Sequence, residues 1–275
     1  MRRILLLRPV KRTYEDYGSD VWRAWTTRGL CALRASRVLP PYYDFWFMLN
    51  RMYGIDPQDM HALKISFWRV SEAGGFDAPR IYRCFLRGGR EHVLLQWVRG
   101  RSVQEWADTT ENERRRFAHA LARQHMRTYP CFGTAADARM PAEQYHPKMA
   151  EVLSEALRRF EHLRTLYAHP AERMLPRIAS LSPPRAFALS MPDNDVSQYI
   201  FPAKGKPVLV DAETIVLAPP EMDIAALRMQ LTDAEFDRFC TYYEEECVLP
   251  AWNEVYDEYR FFLTVIGAMG TEPYE

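Results

Sequence analysis

Asp193, Gln198, Asp211, Glu213 and Asp223 have the residue types and the spacing that phosphate chemistry uses. Residues 186–211 read Ala-Phe-Ala-Leu-Ser-Met-Pro-Asp-Asn-Asp-Val-Ser-Gln-Tyr-Ile-Phe-Pro-Ala-Lys-Gly-Lys-Pro-Val-Leu-Val-Asp. An apolar strand delivers a polar loop holding Asp193 and Asp195. Residues 196–201 then read as a strand, 202–206 as a turn and 207–211 as the return strand. With the turn centred near Lys204, Gln198 lies opposite Val210 and Ser197 opposite Asp211. Cross-strand neighbours sit about 5 Å apart, so Gln198 and Asp211 can reach one ion while Asp193 faces the same space. Two carboxylates and an amide oxygen at a strand edge suit Mg²⁺ carrying nucleotide phosphates. Phosphoryl transfer needs such a metal to neutralise charge, and a carboxylate to orient the attacking hydroxyl. Asp-Asn-Asp alone equally fits an ordinary turn; the joint spacing of the five residues favours a site.

These residues resemble the protein-kinase-like phosphotransferases of the aminoglycoside phosphotransferase and choline kinase family. The family pattern is approximately His-Gly-Asp-x-x-x-x-Asn, then Ile-Asp-[Trp/Phe]-Glu, then an Asp about ten residues on. This chain has Met191-Pro192-Asp193 followed by Gln198, then Val210-Asp211-Ala212-Glu213, then Asp223-Ile224-Ala225. By position the resemblance implies Asp193 as catalytic base, Asp211 and Gln198 as metal ligands, and Glu213 and Asp223 as structural support. Met191-Pro192 replaces the His-Gly that holds the loop, and Gln198 is one methylene longer than Asn; both departures admit a catalytically inactive relative.

The first half supports the resemblance over about residues 60–230. A helix carrying Glu72 leads to Ala78–Tyr82, a hairpin spans 79–98 with its turn at residues 87–90, and Gln96-Trp97-Val98 leads out of it. The resemblance makes Gln96, Trp97 and Val98 the hinge whose backbone contacts adenine. No G-x-G-x-x-G loop is present, and only Lys11 and Lys64 precede Lys148. Lys64 shares a helical face with Glu72 but stands about 12 Å along the axis from it. Lys11, Lys64, an arginine, or no cation at all remain open as the phosphate clamp. His125 and Trp97 read more simply as core residues than as catalytic ones. Residues 22–30 faintly resemble lipopolysaccharide sugar kinases.

Around these segments, residues 3–11 read as a short strand, and 20–38 as a helix from Val21, Trp22, Trp25, Leu30, Leu33 and Val38. Further helices are expected over 43–53, 57–73, 110–127 and 142–168 and after 222, with Ser102 and Glu105 as a capping box. Residues 12–58, helical and aromatic-rich on this reading, stand in place of a usual nucleotide lobe. The fold class expected is α+β: a bilobal protein-kinase-like fold with an atypical small N-terminal lobe (1–98) and a mainly helical C-terminal lobe (99–275) containing the catalytic β segment 185–217.

Composition bounds the partners. The chain has 275 residues and a formal net charge of zero, so no global field points to nucleic acid or an anionic surface. Five scattered cysteines without a C-x-x-C fit reduced thiols. The apolar run Ile4–Leu7 is too short for a signal peptide, no stretch is long enough to span a membrane, and a cytoplasmic protein is expected. Nine acids against two arginines in 232–262 fit either an acidic pocket for a cationic acceptor such as an aminosugar, or a solvated helix face. The aromatics there fit a sugar-binding wall or core. The expected function is an ATP- and Mg²⁺-dependent kinase acting on a hydroxyl of a small molecule or glycan. The alternative is a pseudokinase that binds a protein partner. A two-metal hydrolase built on Asp193 and Asp211 lacks the further carboxylates such chemistry needs.

Overall fold

The structure is a computed structural model that describes residues 2–10 and 18–268. Its first unit is a five-stranded antiparallel sheet of order β1-β2-β3-β5-β4, formed by β1 (Ile4–Pro9), β2 (Ser19–Thr26), β3 (Gly29–Ser36), β4 (Ile81–Arg87) and β5 (Arg90–Gln96). Two helices, α1 (Asp44–Tyr53) and α2 (Met60–Ala73), lie between β3 and β4 in the chain. Gly54 and Gly74, both at positive φ, end them, and the Asp59 side chain caps the first turn of α2.

The helix expected over 20–38 is instead the β2–β3 hairpin, in which Val21 faces Arg34, Trp22 faces Leu33 and Thr26 faces Gly29. From Cys31 to Ser36 every residue of β3 is buried. A strand covered on both faces loses the alternation that marks a half-exposed one, and its apolar positions then fit a helical period equally well. The segment 12–58 therefore supplies two strands of the sheet as well as α1. Lys11 lies outside the described residues.

After β5 the chain passes through Trp97–Gly100 into β6 (Arg101–Ser102) and α3 (Glu111–His125). Then follow β7 (Cys131–Thr134), β8 (Ala138–Pro141), α4 (Tyr145–Arg159), α5 (Glu161–Ser180), β9 (Ala188–Ser190), β10 (Tyr199–Phe201), β11 (Val208–Leu209) and β12 (Val216–Ala218). The helices α6 (Pro220–Gln230), α7 (Asp233–Glu244) and α8 (Tyr256–Val265) complete the described chain. Two small sheets, β11-β10-β6 and β8-β7-β12-β9, carry the loops of interest. The capping box belongs to Thr110 and Glu113 at the start of α3, whereas Ser102 pairs with Ile200 in a strand. The single helix expected over 142–168 breaks at Phe160, whose extended backbone separates α4 from α5.

One hydrophobic core runs from the inner face of the large sheet (Ala32, Val93, Leu95) through α2 and α3 to α8. Phe76, Phe117 and Tyr199, with ring centroids 4.9–5.3 Å apart, join the α2–β4 connection, α3 and β10 at its centre. A smaller cluster of Ala24, Cys31, Leu33 and Leu94 covers the other face of the sheet. Gly100 lets the chain leave the sheet directly against β10: a Cβ there would sit 2.7 Å from the Phe201 carbonyl oxygen and 2.6 Å from Ile200 Cγ2. Gly100→Ala is therefore expected to lower stability by about 1–3 kcal/mol, the cost of overpacking, read as a lower urea midpoint with unchanged m-value; an unchanged midpoint would show that the strand yields freely.

Candidate active site

The loop after β9 is held from beneath. Asp223 Oδ1, at the start of α6, accepts the Met191 main-chain N–H at 2.9 Å, and its Oδ2 meets His125 Nε2 at 2.9 Å. His125 Nδ1 in turn meets the Tyr243 hydroxyl at 2.9 Å. All of these groups are buried, so His125 is a core residue that fixes Asp223. The Met191 side chain is buried as well, filling the floor of the loop. Asn194 is tied inward by the Tyr199 hydroxyl and by Gln230, while Asp195 accepts the Ser197 N–H as an ordinary turn residue.

Asp193 stands apart from these. Its Oδ1 accepts the Thr214 hydroxyl, and its Oδ2 accepts the Gln198 amide at 3.1 Å. The same amide donates to the Asp193 main-chain carbonyl at 3.0 Å. Burial pushes the Asp193 carboxyl up to about 7; the Asp211 charge adds to this, and the Thr214 and Gln198 hydrogen bonds oppose it. Gln198 sits opposite Val210, whose N–H bonds the Gln198 carbonyl, and Tyr199 pairs with Leu209. This is the register read from the sequence, although residues 196–198 form a 3₁₀ turn rather than strand.

The large sheet reaches this site chiefly through Arg34, with Ser19 beside it. Arg34 of β3 lies against the loop after β11: Nη2 is 2.7 Å from Asp211 Oδ1 and 3.0 Å from Glu213 Oε2, and Nε is 3.1 Å from Glu213 Oε1. Nη1 donates to the Val210 carbonyl at 3.2 Å. Ser19, at the start of β2, donates to Glu213 Oε1 at 2.6 Å. Arg34 is only 6% exposed. Burial alone would lower its pKa, but the two carboxylates outweigh that and raise it, so the guanidinium stays charged. Burial raises the Glu213 carboxyl, and Arg34 offsets this only in part. The Asp211 side chain keeps 36% of its surface open.

Arg34, Thr214 and Ser19 were not among the candidates from the sequence. Cys31-Ala32-Leu33-Arg34 has the form of the Val-Ala-Ile-Lys strand whose cation pairs the nucleotide phosphates in protein kinases; reading the segment as helix hid that signal. Lys64 is exposed on α2, and Glu72 pairs with Arg127 at 3.1 Å near the protein surface. Neither contacts Arg34, Asp193 or Asp211. Gln96 ends β5 and accepts the Arg80 N–H; Trp97, half-buried, lies under the Arg23 guanidinium at 5.1 Å, and Val98 is half-buried beyond it.

The acids of 232–262 pair outward. Asp233 meets Arg228, Glu235 meets Arg114, Glu245 meets Arg115, Glu246 meets Arg123 and Glu258 meets Arg177. Tyr243, Tyr259 and Phe261 are fully buried. These features support the helix-face and core readings of that segment rather than an acidic, aromatic-walled pocket.

No protein-family model and no curated protein matches the chain in sequence. Its three-dimensional likeness to solved structures nevertheless extends over nearly the whole chain. A macrolide 2'-phosphotransferase from Brachybacterium faecium superposes with a TM-score of 0.61 at 12% identity, covering 98% of this chain and 93% of that one. The chain has the protein-kinase-like fold. The choline kinase of Streptococcus pneumoniae (TM-score 0.58, 14% identity, 96% and 83% covered) and a spectinomycin phosphotransferase (0.59, 11%, 96% and 82%) share this kinase-like arrangement. An antiparallel N-terminal sheet stands over a mainly helical remainder, as the sequence suggested.

Among the described residues no three His, Cys, Asp or Glu side chains cluster to hold a metal by themselves. The donor set instead fits an ion shared with phosphates: the part-open Asp211 carboxylate, and Gln198 Oε1, which is buried without a hydrogen-bond partner. Mg²⁺ is commonly held in this way, by one or two protein oxygens plus substrate phosphates and water.

Two outcomes follow from this geometry. Arg34→Met leaves Glu213 buried beside Asp211 without its cation and should cost about 3–5 kcal/mol, measured by urea unfolding at pH 7; a loss below about 1 kcal/mol would show that water replaces the guanidinium. Because the Asp193 carboxyl is raised from 3.8 to about 7 in the folded state, the folded protein binds its proton more tightly. The stability this gives is present below the unfolded value and is lost as pH rises through the folded one. Relative to Asp193→Asn, the unfolding free energy of the native protein should fall between pH 5 and 7, by at most about 1.4 kcal/mol per pH unit. A pH-independent difference would mean that Asp193 is already ionised at pH 5.

Proposed function

We propose that this chain is an ATP- and Mg²⁺-dependent phosphotransferase that phosphorylates a hydroxyl of a small molecule or glycan. The observation that carries this reading is Arg34: a buried cation on the third strand of the nucleotide-side sheet, bonded to Asp211 beside Asp193. Strand three is where protein kinases carry their phosphate-binding lysine. The similar solved structures named for macrolide, spectinomycin and choline substrates support small-molecule acceptors as a class.

Asp193 orients the acceptor hydroxyl and takes its proton as the new oxygen–phosphorus bond forms and the bond from the γ-phosphorus to the β–γ bridging oxygen breaks. A carboxyl near 7 is well matched to that task at neutral pH. Thr214 and Gln198 fix the direction of the carboxylate. Arg34 offers its guanidinium to the phosphates, always charged and forked where lysine would be a point charge. Asp211 and Gln198 would hold the magnesium ion, which when bound neutralises phosphate charge. Gln96, Trp97 and Val98 stand at the hinge, where a base would meet backbone groups. Lys64 and Glu72 have no part in this reading, and Lys11 is left without an assigned role. The cytoplasm, where ATP is available, is the proposed setting. Among the described residues no helix is long and apolar enough to cross a membrane.

The second reading is a pseudokinase that binds a protein partner. It is favoured by the guanidinium already seated on Asp211 and by Met191-Pro192 in the catalytic loop. Thermal melts with ATP, with and without Mg²⁺, separate the two. A Mg²⁺-dependent rise in midpoint that is absent in Asp211→Ala supports the enzyme, because a ligand of the folded state stabilises by mass action. An acceptor screen then follows, in which Asp193→Asn should reduce turnover by about 10²–10⁴-fold while leaving ATP binding intact. No shift under any condition, or full turnover in Asp193→Asn, would overturn the assignment.

A further inference from the structure

Away from the catalytic loop, a cavity of about 230 Å³ opens between the α2–β4 connection, the middle of α3 and the tip of the β10–β11 hairpin. Its lining comprises Gly75, Arg116, His119, Ala120, Arg123, Gly205 and Lys206. Every ionisable side chain in that wall is a base. His119 and Arg123 have carboxylate partners behind them, Glu245 at 2.8 Å and Glu246 at 2.5 Å. Arg116 and Lys206 make no ion pair among the described residues. Arg116 Nη1 donates to the Pro202 and Gly205 carbonyls at 2.8 and 3.0 Å, and Lys206 Nζ donates to the Gly74 carbonyl.

Those carbonyls satisfy donors but do not neutralise charge, and the Glu113 carboxylate one turn earlier on α3, which interacts with Arg116, is itself paired with Arg101. Two like charges sharing one concavity repel each other, more strongly where water is partly excluded. Holding the hairpin tip against α3 explains the carbonyl contacts of Arg116, but it needs no second cation. The volume exceeds what one or two waters require, at about 30 Å³ each. Gly75 and Gly205 contribute backbone without side chains to the wall. At Gly75 no side chain fits, since a Cβ would sit 2.2 Å from the Ala120 carbonyl oxygen.

We propose that this cavity is a binding site for a small phosphate-bearing anion, held by Arg116 and Lys206 with His119 and Arg123 at its edge. Guanidinium forks and ammonium groups are the side chains that best match phosphate oxygens. A small, part-open concavity on a chain of zero net charge fits a small anion better than a nucleic acid or a membrane, which require an extended basic face. The site shares no residue with the Arg34, Asp193 and Asp211 constellation, so it stands whether or not the chain is a kinase. It does touch the far end of the hairpin whose near end carries Gln198 and leads to Asp211.

Isothermal titration at constant ionic strength and without divalent metal tests this, using inorganic pyrophosphate and glycerol 3-phosphate as probes. The native protein should bind at least one of them at one site. Lys206→Met should weaken that binding at least tenfold, and Asp211→Ala should leave it within twofold. Tighter binding of glycerol 3-phosphate would mark an organic phosphate as the ligand, and tighter binding of pyrophosphate an inorganic one. Arg116→Gln is a second variant; should it fail to fold, Lys206→Met, which gives up one backbone hydrogen bond, still decides. No binding to the native protein, equal binding to Lys206→Met, or loss of binding in Asp211→Ala would overturn the proposal.

Discussion

A buried guanidinium has to be matched on every side, and Arg34 is matched by groups from the opposite half of the molecule. Asp211, Glu213 and the Val210 carbonyl all come from the loop after β11, and Ser19 of β2 donates in turn to Glu213. Removing charges from water is costly unless geometry and hydrogen bonding repay it. The sheet and the loop are therefore obliged to meet in one register: a slip of one residue in β3 would turn Arg34 to the opposite face, toward the small cluster of Ala24, Cys31 and Leu33. The position of Asp211 relative to Asp193, and so whatever chemistry the pair performs, is set by this contact.

The loop after β9 shows how one conformation can be held with other residues. The motif Met191-Pro192-Asp193 lacks the His-Gly of the family pattern it resembles, yet the loop is pinned through main-chain atoms. Asp223 holds the Met191 N–H, His125 and Tyr243 hold Asp223, and the Met191 side chain packs where a polar one would need partners. Gln198 uses its longer arm to bridge both the carboxylate and the carbonyl of Asp193, which leaves its own oxygen buried without a hydrogen-bond partner.

Legibility in the sequence followed exposure. The 79–98 hairpin, with Gly88 and Gly89 at positive φ in its turn, and the helices expected over 43–53 and 57–73, which Gly54 and Gly74 end, rest on local signals and were readable. The register of Gln198 against Val210 followed from turn position alone, and Asp223 was singled out by its spacing after Asp211 in the family pattern, although its partner in the fold is the Met191 N–H, 32 residues earlier. The β2–β3 hairpin was not readable, because burial on both faces erased its alternation. With it went Arg34, whose role depends on partners about 180 residues away. Thr214 gave no signal at all: a lone hydroxyl beside a Glu acquires meaning only when the fold brings it to Asp193.

The helix between β3 and the rest of the sheet has a mechanical consequence. α1 lies along α4, with Arg51 paired to Glu155 at 3.0 Å and the Tyr53 hydroxyl bonded to that of Tyr145 at 2.9 Å in the interior. To the ties made by Arg34 and Ser19 the structure thus adds two moorings of the chain itself, the strand leaving at Gly100 and α1. A body hung from a single strand can swing like a door about it; one moored at two separated points can only slide or flex between them. Any opening between the sheet and the helices must therefore be taken up toward the outer strand β1, which pairs only with β2, while the Arg34 side of the sheet stays in place.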